Sequence, residues 1–252
     1  MQQRQKKTKM KPTISVIVPV YNAEKWLRMA LESIVSQSFT DYELIIVDGY
    51  SKDKSLDIVK EFIPSIDVLI SERDMGIYDA MNKGIDRAKG EWLFFLGADD
   101  RLCPNVFEKL YPFLDNKYKV VFGDVEFDNN YRMPCFLGSR TMLQNTLHHQ
   151  SAFYHNSNFL EFRYDTNLKI LADYELNLRI YLGNMPFCRV PLVIASCATG
   201  GASSDLYLSW TETNKVRRRY IMSKITNIFL SFTLALYYLQ KRLRYVLYGH
   251  RV

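Results

Sequence analysis

The sequence predicts an α/β fold with a mostly parallel central sheet flanked by helices, followed by a C-terminal basic amphipathic helical tail. Three observations carry this. Short β-branched or apolar runs alternate with segments of helical periodicity through the first hundred residues. Each run ends in a polar, turn-forming cluster. The last run, Trp92-Leu93-Phe94-Phe95-Leu96, stops on Gly97-Ala98-Asp99-Asp100, which sets two adjacent carboxylates at a strand tip.

Taken in order, Ile14-Ser15-Val16-Ile17-Val18 is the first strand. Asn22 is placed to cap a helix in which Trp26, Leu27, Ala30, Leu31, Ile34 and Val35 recur at helical spacing. Glu43 to Val47 is the second strand. Residues 53–63 are the second helix, with Asp53 as its cap. Ile66 to Ile70 is the third strand. Residues 76–89 are the third helix, closed by Gly90 as C-cap. Residues 91–96 are the fourth strand. Strand, helix and strand in this order imply right-handed crossovers in a parallel sheet. Such sheets bind ligands beyond the carboxyl ends of their strands. Here those ends carry Pro19-Val20-Tyr21-Asn22, Asp48 to Asp53, Ser71 to Asp74 and Gly97 to Asp100, four loops on one rim.

Two carboxylates at a strand tip cost free energy unless something cationic sits on them. Hard oxygen ligands suit Mg²⁺ or Mn²⁺ holding a diphosphate. The competing expectation is that Asp99 caps a helix starting near Pro104. The chain contains no Gly-x-Gly-x-x-Gly and no Gly-Lys-Ser/Thr, so metal rather than a glycine cradle is expected to hold phosphate. A zinc site is not expected, because no Cys or third His stands at ligand spacing from His148 and His149.

The segments 16–22, 47–55, 71–92 and 95–100 resemble glycosyltransferase family 2, whose members are inverting enzymes of the GT-A fold. Segments 148–154, 164–181 and 199–204 agree, so the resemblance covers roughly residues 13–205. The stretch from Gly76 to Ile85 is most similar to the branch that builds bacterial surface polysaccharides, including colanic-acid-type transferases. The resemblance implies that Pro19, Tyr21 and Asn22 lie along the nucleotide base. It implies that Asp48 accepts a hydrogen bond from that base, the alternative being a turn role before Gly49. Asp74 and Lys83 match positions lining the nucleotide and diphosphate, although Lys83 also reads as a surface lysine. Asp99 and Asp100 match the ribose and metal pair. Many relatives carry an Asp where Gly97 stands.

Inverting transfer needs a base for the acceptor hydroxyl and positive charge on the leaving diphosphate. Asp173, opening a helix after Ile170-Leu171-Ala172, is the expected base, with Glu175 the alternative and a plain capping role the structural one. Asp165 belongs to a turn. His149 and Gln150 match a His-Gln pair beside the active site, as acceptor or phosphate contacts, with a structural histidine equally open. Ser203, in Gly200-Gly201-Ala202-Ser203-Ser204, is a phosphate-closing candidate.

The function implied is transfer of a sugar from a nucleotide-diphospho-sugar, UDP favoured, to a hydroxyl of a lipid-linked glycan in surface-polysaccharide biosynthesis, with Mn²⁺ or Mg²⁺. The alternatives are the same chemistry on a soluble or protein acceptor, or non-catalytic nucleotide-sugar binding. The organisation expected is a basic tail (1–12), a GT-A domain (13–206) with a nucleotide half (13–100) and an acceptor half (101–206), and a C-terminal helical segment (207–252).

Charge sharpens the view of the ends. Residues 1–12 and 215–252 hold fourteen basic side chains and no acidic one, leaving 19 basic against 27 acidic between them. The C-terminal basic residues are interleaved with Ile, Phe, Leu and Tyr, a membrane-surface rather than nucleic-acid pattern. The apolar stretch from Ile228 to Leu239 makes a helix of about 18 Å, short of the ~30 Å hydrocarbon core. A helix lying in the interface is expected, or one packed on the protein or pairing a homodimer. Four scattered cysteines and no signal-peptide pattern fit a cytoplasmic protein, peripheral on the inner membrane face.

Overall fold

A computed structural model describes residues 11–198 and 205–248. Its centre is a nine-stranded sheet. In chain order the strands are β1 (Ile14–Val20), β2 (Tyr42–Asp48), β3 (Val68–Ser71), β4 (Trp92–Phe95), β5 (Arg101–Leu102), β6 (Val120–Phe127), β7 (Arg132–Met133), β8 (Ala152–His155) and β9 (Phe187–Cys197). The helices are α1 (Leu27–Val35), α2 (Ser55–Glu61), α3 (Ile77–Arg87), α4 (Val106–Leu110), α5 (Ala172–Leu182), α6 (Leu206–Tyr220) and α7 (Lys224–Tyr248).

The spatial order is β3-β2-β1-β4-β8-β6-β9-β5, with β7 paired to β6. Ladders among β1, β2, β3 and β4 are parallel, as is β6 with β9. β8 runs against both β4 and β6, β5 against β9 and β7 against β6. One reversal matters for the site. Because β8 is antiparallel to β4, it begins at the rim where β4 ends.

Every residue of β1, β2 and β4 is buried, because helices cover both faces of the sheet. Val16, Val18 and Leu44 share one core with α1 and α2, while Ile17, Ile45 and Val47 belong to a second core on the α3 side. That is the alternation a pleated strand imposes. At the opposite, amino-terminal edge, buried Glu43 accepts from Ser15 Oγ (2.5 Å) and from the backbone N–H of Lys89 (2.5 Å) and Gly90 (3.1 Å).

Several boundaries differ from expectation for local reasons. Asn22 does not cap α1. It sits at φ 47°, its side chain accepts from Lys52 N–H, and α1 starts at Leu27. Trp26 is 52% exposed rather than core-facing. Asp53 does not cap α2 at its first residue; it accepts from Ser55 and from Glu24 N–H, tying the first two rim loops together. Pro64 ends that helical stretch in a short 3₁₀ turn, so β3 starts at Val68 rather than Ile66. Gly90 is not the C-cap of α3, a place taken by Ala88. Its role is close approach, since a Cβ there would lie 2.5 Å from Ser15 N.

The C-terminal segment is two helices. α6 packs on α5, and α7 packs on α6 through Leu234, Ser231 and Asn214. On the far side of α7, Ile225, Phe229, Phe232, Leu236, Leu239 and Leu243 are each at least half exposed. They recur at alternating steps of four and three, which is one helix face. No helix among the described residues is long and apolar enough to cross a membrane.

Candidate active site

Where the parallel strands end, a cleft of ≈ 370 Å³ opens, lined among others by Pro19, Tyr21, Asn22, Trp26, Asp74 and Asp99. Tyr21 is 64% exposed on its wall. Asp74 accepts from Gly76 N–H (2.9 Å) at the start of α3, and burial raises its pKa. Lys83 is turned to the loop rather than the cleft. Its ammonium reaches Glu72 (2.9 Å), Asp79 (3.4 Å) and the Arg73 carbonyl (2.7 Å), bracing the β3–α3 connection. Asp48 is fully buried beneath the rim. Its carboxylate accepts from Ser51 N–H and, at 2.7 Å, from Ser71 Oγ, so both oxygens serve the turn.

Asp99 is exposed to the cleft, whereas Asp100 is 4% exposed. Asp100 accepts from Gln150 Nε2 (2.9 Å) and Ala198 N–H (3.3 Å). Burial, then the charge of Asp99, raises its pKa. A Cβ at Gly97 would stand 2.4 Å from an Asp100 oxygen and 2.9 Å from an Asp99 oxygen. The bare glycine therefore lets both carboxylates close in on the backbone, where a side chain would push them apart. Asp99 does not cap α4, which begins at Val106 after Asn105.

Asp173 lies in the first turn of α5 and is 5% exposed. It is not the N-cap, a position held by Leu171. One oxygen accepts from Tyr174 N–H (2.9 Å) and Tyr78 Oη (3.3 Å). The other meets Asn145 Nδ2 (3.1 Å) and His149 Nδ1 (3.4 Å). Behind it, Asn177 Nδ2 donates to the Asn145 carbonyl oxygen (3.0 Å), and Tyr154 Oη donates to Asn177 (2.8 Å). This chain of amides and hydroxyls fixes the carboxylate from its protein side.

The reversal of β8 joins the two carboxylate centres. His149 and Gln150 form the 3₁₀ turn before β8. Neighbours in sequence, they reach Asp173 and Asp100 respectively. His149 Nε2 and Gln150 Oε1 are buried and have no hydrogen-bond partner within the described residues. Orphaned buried polar atoms are costly unless a ligand or water meets them. His148, by contrast, turns its ring edge to Phe127 (6.1 Å), and burial lowers its pKa to about 4.

Glu175 is drawn away from this centre. It pairs with Arg219 (3.0 Å) and accepts from Tyr220 Oη (2.7 Å), both on α6. Asp165 makes the expected turn with Asn167 N–H (2.9 Å). Ser203 and its glycine-rich loop lie outside the described residues. Tyr78, Asn145, Trp26 and the α6 side chains were not singled out in the sequence for the site. Only Tyr78 had a local signal, its place within the Gly76–Ile85 motif.

The family 2 glycosyl transferase model matches residues 15–170. The chain belongs to glycosyl transferase family 2. This family 2 chain is 35% identical over 179 residues to a PGL/p-HBAD biosynthesis glycosyltransferase of Mycobacterium bovis (strain BCG / Pasteur 1173P2), covering 68% of this chain and 70% of that protein. It is 36% identical over 110 residues to TuaG of Bacillus subtilis (strain 168), whose name assigns it to teichuronic acid biosynthesis, covering 42% of this chain and 44% of that protein. Among solved structures, S. aureus TarS 1-349 superposes with TM-score 0.69 at 18% identity, over 95% of this chain and 76% of that one. Its complex with UDP-GlcNAc gives 0.68 at 23%, over 81% and 64%. The chain spans 39% of the longer TarS crystal chain. Mannosyltransferase PcManGT from Pyrobaculum calidifontis, in complex with GDP-Man and Mn²⁺, gives 0.65 at 17%, over 90% and 74%. These likenesses show the GT-A type of fold, and family membership makes the chain a glycosyltransferase.

Proposed function

We propose that this family 2 chain is an inverting glycosyltransferase that moves a sugar from a UDP-sugar to a hydroxyl of a lipid-linked glycan in bacterial surface-polysaccharide biosynthesis. One observation carries the reading. The consecutive residues His149 and Gln150 bridge Asp173 and Asp100, and Asp100 follows directly on Asp99, which lines the nucleotide-sized cleft. The leaving diphosphate and the attacking hydroxyl thus have carboxylates of opposite duty, tied to each other through one short turn.

In this scheme Asp173 takes the proton from the acceptor hydroxyl, whose oxygen bonds to the anomeric carbon as the bond to the diphosphate breaks. The electron pair leaves with the nucleoside diphosphate. Pro19, Tyr21, Asn22, Trp26 and Asp74 line the cleft in which the nucleotide lies. His149 and Gln150 orient acceptor and phosphate through their unspent atoms.

The site suits Mn²⁺ or Mg²⁺. Asp99 and Asp100 supply hard oxygens gathered over Gly97, and their mutual repulsion is relieved by a cation. No group of three His, Cys, Asp or Glu among the described residues could hold an ion alone. Diphosphate oxygens would complete the set, and the cation would supply positive charge for the leaving group. PcManGT, solved with GDP-Man and Mn²⁺, and TarS, solved with UDP-GlcNAc, support donor and metal class. The mycobacterial relative and TuaG support the glycan context.

The exposed apolar face of α7 and the acid-free basic C-terminal segment support peripheral attachment to the cytoplasmic membrane face. The alternative partner for that face is a second copy of the chain, as a homodimer. No nucleic-acid role is proposed. A donor screen tests the central reading, measuring nucleoside diphosphate release from UDP-, GDP- and dTDP-sugars with and without Mn²⁺. Metal-dependent release from UDP-sugars is expected. Release from none of the donors, in the presence of membrane-lipid glycan acceptors, would overturn it.

A further inference from the structure

The start of α5 is not capped by any side chain of its own. A carboxylate from α6 instead holds the backbone that leads into it. Glu212, 4% exposed, accepts from three successive backbone N–H groups: Lys169 (2.6 Å), Ile170 (3.0 Å) and Leu171 (3.0 Å). Two turns further along α6, Arg219 bridges Asp165 (2.5 Å) and Glu175 (3.0 Å), and Tyr220 holds Glu175. The segment 165–175 is therefore gripped on both sides of Asp173 by one helix.

We propose that Glu212, supported by Arg219, is a positioning residue for Asp173. The inference rests on the reading of Asp173 as the base. The physical reason lies in competition for bare N–H groups. A helix start exposes donors that a nearby Asp, Asn, Ser or Thr readily turns to satisfy. Asp173 stands two residues beyond Leu171 and already accepts from Tyr174 N–H. With Leu171 and Ile170 unsatisfied, its carboxylate would be recruited as the cap of its own helix and turned away from the acceptor. Glu212 occupies those amides from outside, leaving the second Asp173 oxygen on the His149 and Asn145 side. A carboxylate at the helix N-terminus also meets the macrodipole, which would otherwise draw Asp173 inward.

Steady-state kinetics of full-length Glu212→Ala test this. The expected result is a kcat lower by about 10–100-fold, the scale of a misplaced catalytic group, with donor KM and the Kd of UDP within about twofold of the parent. Glu212→Gln, which keeps one acceptor oxygen, should fall between the two. A double-mutant cycle supplies the decisive reading. In the Asp173→Asn background, Glu212→Ala should cost no further activity, because nothing is left to position. A merely structural role would lower the residual rate again and would raise KM along with lowering kcat. Either of those results, or an unchanged kcat in the folded single variant, overturns the proposal. Should Glu212→Ala not fold, the same split in Glu212→Gln decides, with wild-type kcat as the overturning result. Near-normal turnover of Asp173→Asn would instead remove the base assignment on which the inference stands.

Discussion

Asp173→Asn separates chemistry from folding because the two losses differ in size. The asparagine oxygen still accepts from Tyr174 N–H and Tyr78 Oη, the bonds measured at 2.9 and 3.3 Å. Its new amide, however, faces the Asn145 amide that donated at 3.1 Å. The charge-assisted bond from Asn145 is lost, about 1.5–3 kcal/mol of stability, while His149 Nδ1, at 3.4 Å, faces the same new amide. For a chain of this length that lowers Tm by roughly 3–12 °C. The barrier to transfer rises further, since removal of a general base costs ~10²–10⁴ in rate, or about 3–5 kcal/mol. The assay is nucleoside diphosphate release with donor and acceptor present, alongside calorimetric titration of UDP. UDP affinity should stay within a few-fold while turnover collapses. A folded variant with turnover within tenfold of the parent would refute the reasoning. Glu175 would not be an easy substitute, because Arg219 and Tyr220 already occupy its carboxylate.

Other expectations follow from the same geometry. UDP with Mn²⁺ at about 100 times Kd should stabilise the protein by ~2.7 kcal/mol, and Asp100→Ala should remove the metal-dependent part of that Tm rise; full transfer activity in excess EDTA would exclude the cation. His148 has a folded pKa near 4, below the ordinary histidine value, so the unfolded chain binds the extra proton first. Stability from this group is full above about pH 6.5 and is lost as pH falls toward 4, by at most about 3 kcal/mol; His148→Leu should flatten the Tm–pH curve in that window, and an unchanged slope would reassign it. Replacing Phe229, Phe232 and Leu236 together by Ser should weaken binding to anionic vesicles by roughly tenfold per side chain, with added salt weakening the parent further. Unaltered vesicle binding, or conversion of a dimer to a monomer, would mean that the face pairs subunits. Cutting the chain after Asn214 is a poor substitute for this test, since it also removes Arg219 and Tyr220.

The parallel half of the sheet was legible because its signal is local. Val16 to Val18 and Trp92 to Leu96 are continuous apolar runs, as strands buried on both faces must be, and the rim loops announce themselves by turn chemistry. Asp99, Asp100 and Asp173 stood out through motif spacing. Three things were not legible. The antiparallel placement of β8 is a pairing choice that Ala152 to His155 do not encode alone, and it is what brings His149 and Gln150 between the carboxylates. Trp26 fits a helical apolar stripe, yet it precedes the first turn of α1 and faces the cleft. Glu212 reads as one more charge on a polar helix. Only tertiary packing shows that its carboxylate meets three amides some forty residues away.

The knot of Ser15, Glu43, Lys89 and Gly90 has a consequence for how such a chain can change. Cohesion is concentrated at the amino-terminal edge of the sheet, where a buried carboxylate stitches strand to strand and strand to helix exit. Recognition is concentrated at the opposite edge, where Asp48, Asp53 and Asn22 hold the loops in shape and Tyr21 and Trp26 stand exposed. The two edges therefore answer to separate pressures. Substitutions at exposed rim positions such as Tyr21 and Trp26 can explore new nucleotides, sugars and acceptors while the distant seam holds the strands in register. Innovation in a lineage built on this plan is cheap at one end of the molecule and nearly forbidden at the other.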